Sequence, residues 1–260
     1  MTRTDPGIAW ITGASYGIGR AVALRLAADG WRVAASARSA DALKTLGDEA
    51  GRLPGSIAAY PLDLTDGPAI AATVARIRSD LGPIDQAILN AGSHEPTGID
   101  PFETEIFERL IRLNLLGTVH CVDALLPAMR ERGRGRIAVV ASVVGYGGLP
   151  GAAAYGMTKA GLINMCQALR PELERAGIIL QIVNPGFVRT PLTDRNDFPM
   201  PMLMEVEDAA EAFVRGLASD RFEIVFPRRF AFLMKLLGIL PYPLFFAATR
   251  RMLRKPGKRD

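Results

Sequence analysis

The 260-residue sequence contains few of the residues that build disulfide frameworks and metal sites, namely two cysteines and two histidines. Cys121 and Cys166 lie in apolar, helix-like surroundings, which predicts buried thiols of a reduced, cytoplasmic protein. His94 and His120 belong to no grouping with metal-ligand spacing, so we predict no metal site. A small domain held together by disulfides or zinc is therefore excluded.

The sequence also lacks a secretory signal and an uninterrupted membrane span. Its first residues, MTRTDPG, run directly into the strand-like IAWITG without an apolar signal core. The longest apolar segment, 230–248, contains a single charged residue, Lys235, but the PYP at 241–243 divides the segment into two pieces. Each piece of about ten residues is too short to cross roughly 30 Å of hydrocarbon. We therefore predict a cytoplasmic protein without a transmembrane helix.

An excess of charge of one sign occurs only at the end of the chain, where it is positive. Net charge is +4, yet residues 250–260 alone hold six basic residues and one acid. The nearly neutral remainder shows no basic stripe interleaved with aromatics, so we expect no nucleic-acid partner. Apolar helices beside a basic tail are typical of a peripheral anchor at the inner membrane surface, here through 230–259. A subunit interface or a flap over a substrate pocket are the alternatives.

Short apolar runs alternate with longer segments of helical period. The strands are apolar without strict alternation, as expected when both faces of a sheet are covered. The pattern predicts an α/β fold, a Rossmann-type doubly wound sheet of about seven parallel strands with helices on both faces. We assign residues 1–228 to this domain and 229–260 to an apolar-helical and basic extension. The predicted strands are 8–12, 32–36, 56–60, 85–89, 136–141, 178–183 and 223–226, and the predicted helices lie near 17–29, 40–50, 66–80, 103–131, 152–176 and 207–218.

A glycine-rich turn, TGASYGIGRA, directly follows the first predicted strand and opens a helix. Glycine permits a tight turn and close approach to a pyrophosphate, and a helix N-terminus offers free N–H groups and a positive dipole end. Strand before and helix after is the context that a nucleotide-binding fingerprint requires. We therefore predict a phosphate cradle formed by Gly13, Ser15, Tyr16, Gly17, Ile18 and Gly19.

The ends of the second and third strands bear on which dinucleotide binds. An acid after the second strand favours NAD, whereas arginine accommodates the 2′-phosphate of NADP. The sequence offers Ser36 and Arg38 there, with no acid before Asp41, so NADP(H) is preferred and NAD(H) is the alternative. Asp63 and Leu64 follow the third strand. Asp63 is positioned either to bind the adenine amine or to occupy an ordinary turn.

Small residues mark two further strand ends, where a cofactor must pass close to the backbone. Asn90, Ala91 and Gly92 close the fourth strand, and Pro185 with Gly186 breaks the chain after the sixth. We expect both segments to contact the cofactor, with Pro185 and Gly186 beside the nicotinamide.

Three residues whose side chains are candidates for catalysis follow the fifth strand. Ser142 lies at its carboxyl end, and Tyr155 lies four residues before Lys159 in AAYGMTKAG. One helical turn places Tyr155 and Lys159 on the same face. By itself such a pair is more often a surface feature than a catalytic one.

The ordered set of motifs resembles the short-chain dehydrogenase/reductase family, in its compact single-domain branch. The matching elements, which cover about residues 6–226, are T-G-x-x-x-G-x-G at 12–19, N-A-G at 90–92, Asn114 in RLNLLG, Ser142, Y-x-x-x-K at 155–159 and P-G at 185–186.

The resemblance implies an oxidoreductase that transfers a hydride between NADP(H) and a carbonyl or secondary alcohol. Tyr155 would be the general acid or base, and Ser142 would stabilise the substrate oxygen. Lys159 would lower the tyrosine pKa and bind the nicotinamide ribose, while Asn114 would hold a water that links Lys159 to solvent. Val188 and Thr190 are implied as further cofactor contacts. A homodimer or homotetramer is typical of the family.

The predicted substrate side is apolar. Val144 and Phe187, with Ser142 and Tyr155, are expected to contact substrate, and Arg189 is either an anchor or a loop ion pair. A catalytically silent, dinucleotide-sensing binding protein is the alternative function, although it would need no complete catalytic set. A nucleotide-sugar epimerase is disfavoured, because too few residues follow the last strand. The segment 191–208 lies where the family places its substrate lid. Its soft apolar side chains either contact an elongated hydrophobic substrate or pack against the body of the domain; they are Phe198, Met200, Met202, Leu203 and Met204.

Overall fold

The computed structural model describes residues 6–194 and 199–253. Within them, seven strands form one sheet with the order β3-β2-β1-β4-β5-β6-β7, and all neighbouring pairs are parallel. The strand order reverses between β1 and β4, which is where such sheets bind ligands. The predicted doubly wound sheet is confirmed. The strands are β1 Ile8–Thr12, β2 Arg32–Ser36, β3 Ser56–Ala59, β4 Gln86–Leu89, β5 Gly135–Val140, β6 Ile178–Pro185 and β7 Glu223–Phe226.

Helices cover both faces of the sheet. In the described residues they are α1 Gly17–Ala28, α2 Ala40–Glu49, α3 Gly67–Asp80, α4 Thr104–Leu110, α5 Gly117–Arg132, α6 Ala153–Arg175, α7 Val206–Leu217, α8 Arg228–Gly238 and α9 Tyr242–Arg250. Successive residues of β1 enter different cores: Trp10 packs with α3, α5 and α6, whereas Ile11 packs with α1, α2 and α7. Because both faces are buried, the strands show no polar alternation.

The long predicted helix at 103–131 is interrupted. Between α4 and α5 the chain forms a π-helical segment, Ile111–Leu116, which contains Asn114. Wide turns of this kind are frequent at functional sites. Taken together, Thr104–Arg132 is the one helical stretch among the described residues that is long and apolar enough to span a membrane. Its Cys121 and Met129 side chains are buried against the sheet, as in a core helix of a folded domain.

The described part of the predicted extension packs against the sheet domain. Phe230, Ala231 and Met234 of α8 are buried in a cluster with Val143, which follows β5. Helix α8 ends at Gly238, and α9 begins at Tyr242, directly after Pro241. The inner face of α8 is therefore part of the core.

Candidate active site

The glycine-rich turn between β1 and α1 has the backbone that a phosphate cradle needs. Gly13 and Gly17 have φ values of 68° and 59°, in the left-handed region that favours glycine. A Cβ atom at Gly19 would lie 2.4 Å from the Gly13 carbonyl oxygen and 2.5 Å from the side-chain amide nitrogen, Nδ2, of Asn90. Side chains at these positions would force the turn open, so the turn fits a ligand that approaches its backbone.

The N-terminus of α1 is open to an anion. Tyr16 precedes the helix, its side chain makes no capping bond, and about half of its surface is exposed. The first N–H groups of a helix need partners from outside the helix. A pyrophosphate supplies such partners, and the helix dipole favours its charge. These observations fit the diphosphate of a dinucleotide.

Asn90 holds the cradle to the end of β4. Its amide nitrogen donates to the carbonyl oxygens of Thr12 and Gly13, each at 3.1 Å. The Thr12 hydroxyl in turn accepts from the backbone N–H groups of Asn90, at 3.0 Å, and Ala91, at 3.2 Å. The two strands that flank the reversal of strand order are thereby joined at their carboxyl ends.

The Ser36 side chain at the end of β2 is buried, and its hydroxyl accepts the indole N–H of Trp10 at 2.9 Å. Its predicted role toward a 2′-phosphate stays a prediction. Arg38, two residues further on, is exposed. It remains the cation at this strand end.

Asp63 lies in an Asx turn and also near Arg38. One of its carboxylate oxygens accepts from the backbone N–H and the hydroxyl of Thr65, both at 2.9 Å. The Thr65 backbone bond is the largest cause of a lowered Asp63 pKa; burial opposes it, and the Thr65 hydroxyl and the Arg38 charge add to it. Asp63 thus occupies the turn, and with Arg38 it also lines a cleft of about 330 Å³. Its role toward a ligand stays a prediction.

The remaining predicted cofactor residues lie at the same edge of the sheet. A Cβ atom at Gly17 would lie 3.1 Å from the Thr190 side chain, so the segment after β6 contacts the turn after β1. Strand β6 extends to Pro185, two residues beyond its predicted end, because Pro185 still pairs with Phe226. These residues are Ser15 and Ile18 beside the glycine turn, Leu64 after β3, Ala91 and Gly92 after β4, and Pro185, Gly186, Val188 and Thr190 at the end of β6.

Ser142 and Tyr155 come together beside this edge. The Ser142 hydroxyl accepts from the Val144 N–H at 3.2 Å and lies 3.5 Å from the Pro185 carbonyl oxygen. Burial raises the pKa of Tyr155 to about 12, and a hydrogen bond with Ser142 acts in the opposite direction. At neutral pH the Tyr155 phenol therefore keeps its proton.

Lys159 lies behind the Tyr155 ring. Its ammonium group is 5.6 Å from the ring centroid and donates to the Val140 carbonyl oxygen at 2.8 Å. Burial lowers the Lys159 pKa to about 8. Lys159 was expected to lower the Tyr155 pKa. In the structure, burial is the largest cause of the pKa shifts of both side chains, and it raises that of Tyr155.

Asn114 is fully buried and bridges two segments. Its Oδ1 accepts from the Ser93 N–H at 2.9 Å, and its Nδ2 donates to the Ser93 carbonyl oxygen at 3.0 Å and the Thr158 hydroxyl at 3.1 Å. Both amide hydrogens are thus used, so a water at the predicted position could contact this side chain only by donating to Oδ1. A Cβ atom at Gly92 would lie 3.2 Å from Asn114 Oδ1 and 3.4 Å from Lys159 Nζ.

His94 is a residue of this site that the sequence reasoning set aside. Its ring packs edge-on against Tyr155, with the centroids 4.8 Å apart. Its Nδ1 atom is buried and has no hydrogen-bond partner among the described residues. Burial lowers the His94 pKa, while Glu95 opposes the shift. The available signal was its position two residues after the N-A-G motif at a strand end.

The expected substrate side is apolar and partly formed by the C-terminal helices. The Phe187 ring lies 5.4 Å from that of Phe230 on α8. Val144 borders the start of α6, because a Cβ atom at Gly156 would lie 3.5 Å from it. Arg189 forms an ion pair with Glu205 at 3.0 Å. Of its two predicted roles, a substrate anchor or a loop ion pair, the structure shows the ion pair.

The segment predicted to be a substrate lid is described only in part. Phe198 lies outside the described residues. Met204 forms a parallel bridge with Val188, with its N–H donating to the Phe187 carbonyl oxygen at 3.0 Å. Met202 is in the left-handed region, with φ at 56°. The C-terminal end of the segment is thus fixed beside Phe187.

Comparison with known proteins agrees with this arrangement. A family model described as short chain dehydrogenase matches residues 7–198. An uncharacterized oxidoreductase of Myxococcus xanthus is 37% identical over 244 residues, which cover 94% of this chain and 96% of that protein. A 3-oxoacyl-(acyl-carrier-protein) reductase of Thermotoga maritima is 35% identical over 193 residues, which cover 74% of this chain and 78% of that protein.

A solved structure shows the same likeness in three dimensions. A short-chain dehydrogenase from Sphingobium yanoikuyae, in complex with NADPH, matches with a TM-score of 0.79 and 30% identity. The match covers 98% of this chain and 99% of that one. It therefore includes the glycine-rich turn, Ser142, Tyr155 and Lys159.

Proposed function

The chain belongs to the short-chain dehydrogenase/reductase family, and from this premise we propose that it is an NADP(H)-preferring oxidoreductase acting on the carbonyl or secondary alcohol of a hydrophobic substrate. The observation that carries the proposal is the juxtaposition of Ser142, Tyr155 and Lys159 at the carboxyl edge of the sheet, next to the glycine-rich turn. When bound, the nicotinamide supplies or accepts a hydride.

Tyr155 is the proton donor of the proposed reduction. A carbonyl that is reduced to an alcohol gains negative charge on oxygen and needs a proton there. The raised Tyr155 pKa keeps the phenol protonated at neutral pH, and the hydrogen bond with Ser142 keeps its hydroxyl beside the position for a substrate oxygen. General acid catalysis of this kind contributes about 10²- to 10⁴-fold to a rate.

Ser142 and Lys159 assist Tyr155 in different ways. The Ser142 hydroxyl can donate to the substrate oxygen as charge develops, while the Val144 N–H holds the serine oxygen in place. With a pKa of about 8, Lys159 is largely protonated at neutral pH. Its positive charge behind the ring stabilises the phenolate that forms when Tyr155 gives up its proton.

Arg38 supports the preference for NADP(H). It is the exposed cation at the end of β2, where the 2′-position of the adenosine ribose is recognised in folds of this type. Ser36 is buried and bonded to Trp10, so Arg38 is the exposed charged side chain that we assign to the 2′-phosphate at this strand end. NAD(H) is the alternative cofactor.

An apolar substrate is supported by the surroundings of Ser142. Val143 is buried beside it, and Phe187 packs with the aromatic ring of α8. The one charged candidate for an anchor, Arg189, is paired with Glu205. The intact Ser142–Tyr155–Lys159 set argues against a catalytically silent binding protein, which would not need a proton donor.

We also propose that the protein forms a homodimer or homotetramer through its long helices. Leu116 and Val119 expose apolar side chains at the junction of the π-helical segment and α5. Burial of such side chains against a second subunit is favourable. Sedimentation of the purified protein measures the assembly state.

The experiment that tests the catalytic part compares turnover of wild type with Tyr155→Phe, using NADPH and a panel of long-chain ketones. Loss of the proton donor is expected to lower kcat about 10²- to 10⁴-fold, with NADPH binding retained. Tyr242→Phe, which removes a hydroxyl from an exposed tyrosine of α9, is the matched control and should retain activity. Equal rates in wild type and Tyr155→Phe would remove Tyr155 from the reaction; NADPH binding with no turnover of any substrate in wild type would favour the silent alternative.

The cofactor part is tested by titrating NADPH and NADH into wild type and Arg38→Leu. Loss of a bond to a charged group is expected to weaken NADPH binding about 10- to 100-fold, with NADH nearly unchanged. Tighter binding of NADH than of NADPH to wild type would overturn the preference.

A further inference from the structure

A group of large apolar side chains is exposed on α8, on α9 and in the residues just after each helix. Phe232 and Ile239 are 67% and 77% exposed, and Tyr242 at the start of α9 is 76% exposed. We call this group the C-terminal surface. Its members are Phe232, Leu233, Leu236, Ile239, Tyr242, Leu244, Phe246, Met252 and Leu253.

Folding of the domain does not explain these outer side chains. Phe230, Ala231 and Met234 form the buried face of α8. At 100° per residue, Phe232, Leu236 and Ile239 lie on the opposite face. A surface helix of this kind would ordinarily carry polar residues there, so the apolar outer face indicates a second contact.

Cations border the C-terminal surface, and acids are missing from it. Arg228 and Arg229 at the start of α8 are exposed, as are Arg250 and Arg251 at the end of α9. The sequence from 228 to 253 contains no aspartate or glutamate. Lys235 is paired with Glu223, which lies on β7 outside the surface. The surface is therefore apolar, and exposed arginines lie at the start of α8 and at the end of α9.

This charge pattern disfavours a second copy of the chain as the occupant. In a two-fold symmetric dimer the same patch forms both sides of the contact, so it must be complementary to itself. Arginines at the ends of a surface without acids provide no such complementarity. The pattern instead fits a partner that is both negatively charged and able to surround apolar side chains.

We propose that the C-terminal surface binds the surface of an anionic lipid bilayer. Helices of 11 and 9 residues are too short to cross a bilayer, but they suit helices that lie in its plane. Their aromatic and aliphatic side chains enter the boundary between headgroups and acyl chains, and the arginines contact the anionic headgroups.

Helix α8, which carries the proposed membrane contact on its outer face, lies next to the candidate active site. Helix α8 packs on Val143, the residue directly after Ser142, and its Phe230 contacts Phe187. A bilayer-bound protein would thus hold its apolar substrate side close to the lipid. The membrane contact itself does not depend on the chemistry proposed for Tyr155.

The test is flotation of the full chain with two kinds of vesicle, phosphatidylcholine alone and phosphatidylcholine with phosphatidylglycerol. We expect flotation with the anionic vesicles, which decreases as salt is raised. Phe232→Gln/Ile239→Gln should lower the partition coefficient at least tenfold, because it removes two exposed apolar anchors. Arg228→Gln/Arg229→Gln should lower it about 30-fold, since each cation near an anionic surface is worth about fivefold.

Ile99→Gln/Phe102→Gln is the matched control, because it changes the same two residue types at exposed positions outside the C-terminal surface. It should float like wild type. Circular dichroism and NADPH binding check that each variant is folded. Flotation that is absent in wild type, or unchanged in both test variants, would overturn the proposal. A wild-type dimer that becomes a monomer in Phe232→Gln/Ile239→Gln, without vesicle binding, would assign the surface to a second copy instead.

Discussion

Replacing Glu223 by alanine removes a carboxylate that holds α8 against the sheet. One oxygen of Glu223 accepts from the Tyr146 hydroxyl at 2.6 Å and from the Asn184 amide nitrogen at 2.9 Å. The other oxygen is paired with Lys235 of α8, whose ammonium group also lies 5.2 Å from the Tyr146 ring centroid. The substitution therefore removes the hydrogen bonds and the ion pair by which Glu223 on β7 holds β6, α8 and the segment after Ser142.

The expected cost follows from the burial of the three partners. Tyr146 and Asn184 lie in partly buried surroundings, and each donor left without an acceptor costs about 1–3 kcal/mol. The ammonium of Lys235 is about half exposed, so its ion pair contributes only about 0–1 kcal/mol. We expect Glu223→Ala to lower the free energy of unfolding by about 2–7 kcal/mol. In a chain of this length the Tm would fall by about 4–28 °C.

The pH dependence of stability gives a second, independent readout. Burial alone would raise the Glu223 pKa, but hydrogen bonds from Lys235, Tyr146 and Asn184 outweigh it, and the net shift is downward. The network therefore stabilises the fold fully above the ordinary glutamate pKa of about 4.5, and this contribution is lost as pH falls through the lower pKa of the folded state. Glu223→Gln should lack this acid-dependent loss.

Urea unfolding followed by circular dichroism measures the effect, provided that a single transition is seen. Glu223→Gln keeps one acceptor oxygen and should recover part of the lost stability. Glu131→Ala, at an exposed position on α5, is the control and should change stability by less than about 0.5 kcal/mol. An unfolding free energy of Glu223→Ala equal to that of the control would refute the reasoning.

Two further predictions concern the cofactor turn and the histidine of the site. Gly19→Ala places a methyl group 2.4 Å from the Gly13 carbonyl oxygen, so it should abolish measurable NADPH binding in a fluorescence titration; Gly51→Ala, where a Cβ atom meets no atom within 4 Å, should bind normally. His94→Phe keeps an aromatic ring beside Tyr155 and removes the buried Nδ1 atom that has no partner among the described residues. At pH 7 the free energy of unfolding of this variant should equal or exceed that of wild type. Because burial lowers the His94 pKa, wild type should lose stability relative to His94→Phe as pH falls below about 6.5; parallel stability curves would contradict this.

Much of the site could be predicted because it depends on local patterns at strand ends. Gly13 and Gly19 are recognisable since no other residue fits so close to neighbouring backbone, and Gly17 since its φ of 59° favours glycine. Helical spacing places Tyr155 and Lys159 on one face, and the ordered set of motifs around them makes the pair recognisable as catalytic. Ser36 shows the limit of this reasoning: strand position placed it at the correct edge, but only packing decided that its hydroxyl faces Trp10.

The sequence by itself determined the parallel sheet, the position of the dinucleotide turn and the order of the chemical groups, because periodicity and glycine spacing act over a few residues. Only the tertiary structure decided the electrostatics and the outer contacts. Burial, which depends on residues distant in the chain, raised the pKa of Tyr155 and lowered those of Lys159 and His94. Long-range packing likewise placed one face of α8 in the core and left Phe232 and Ile239 on the outside. An apolar helix carries no local signal of which of its faces will be covered.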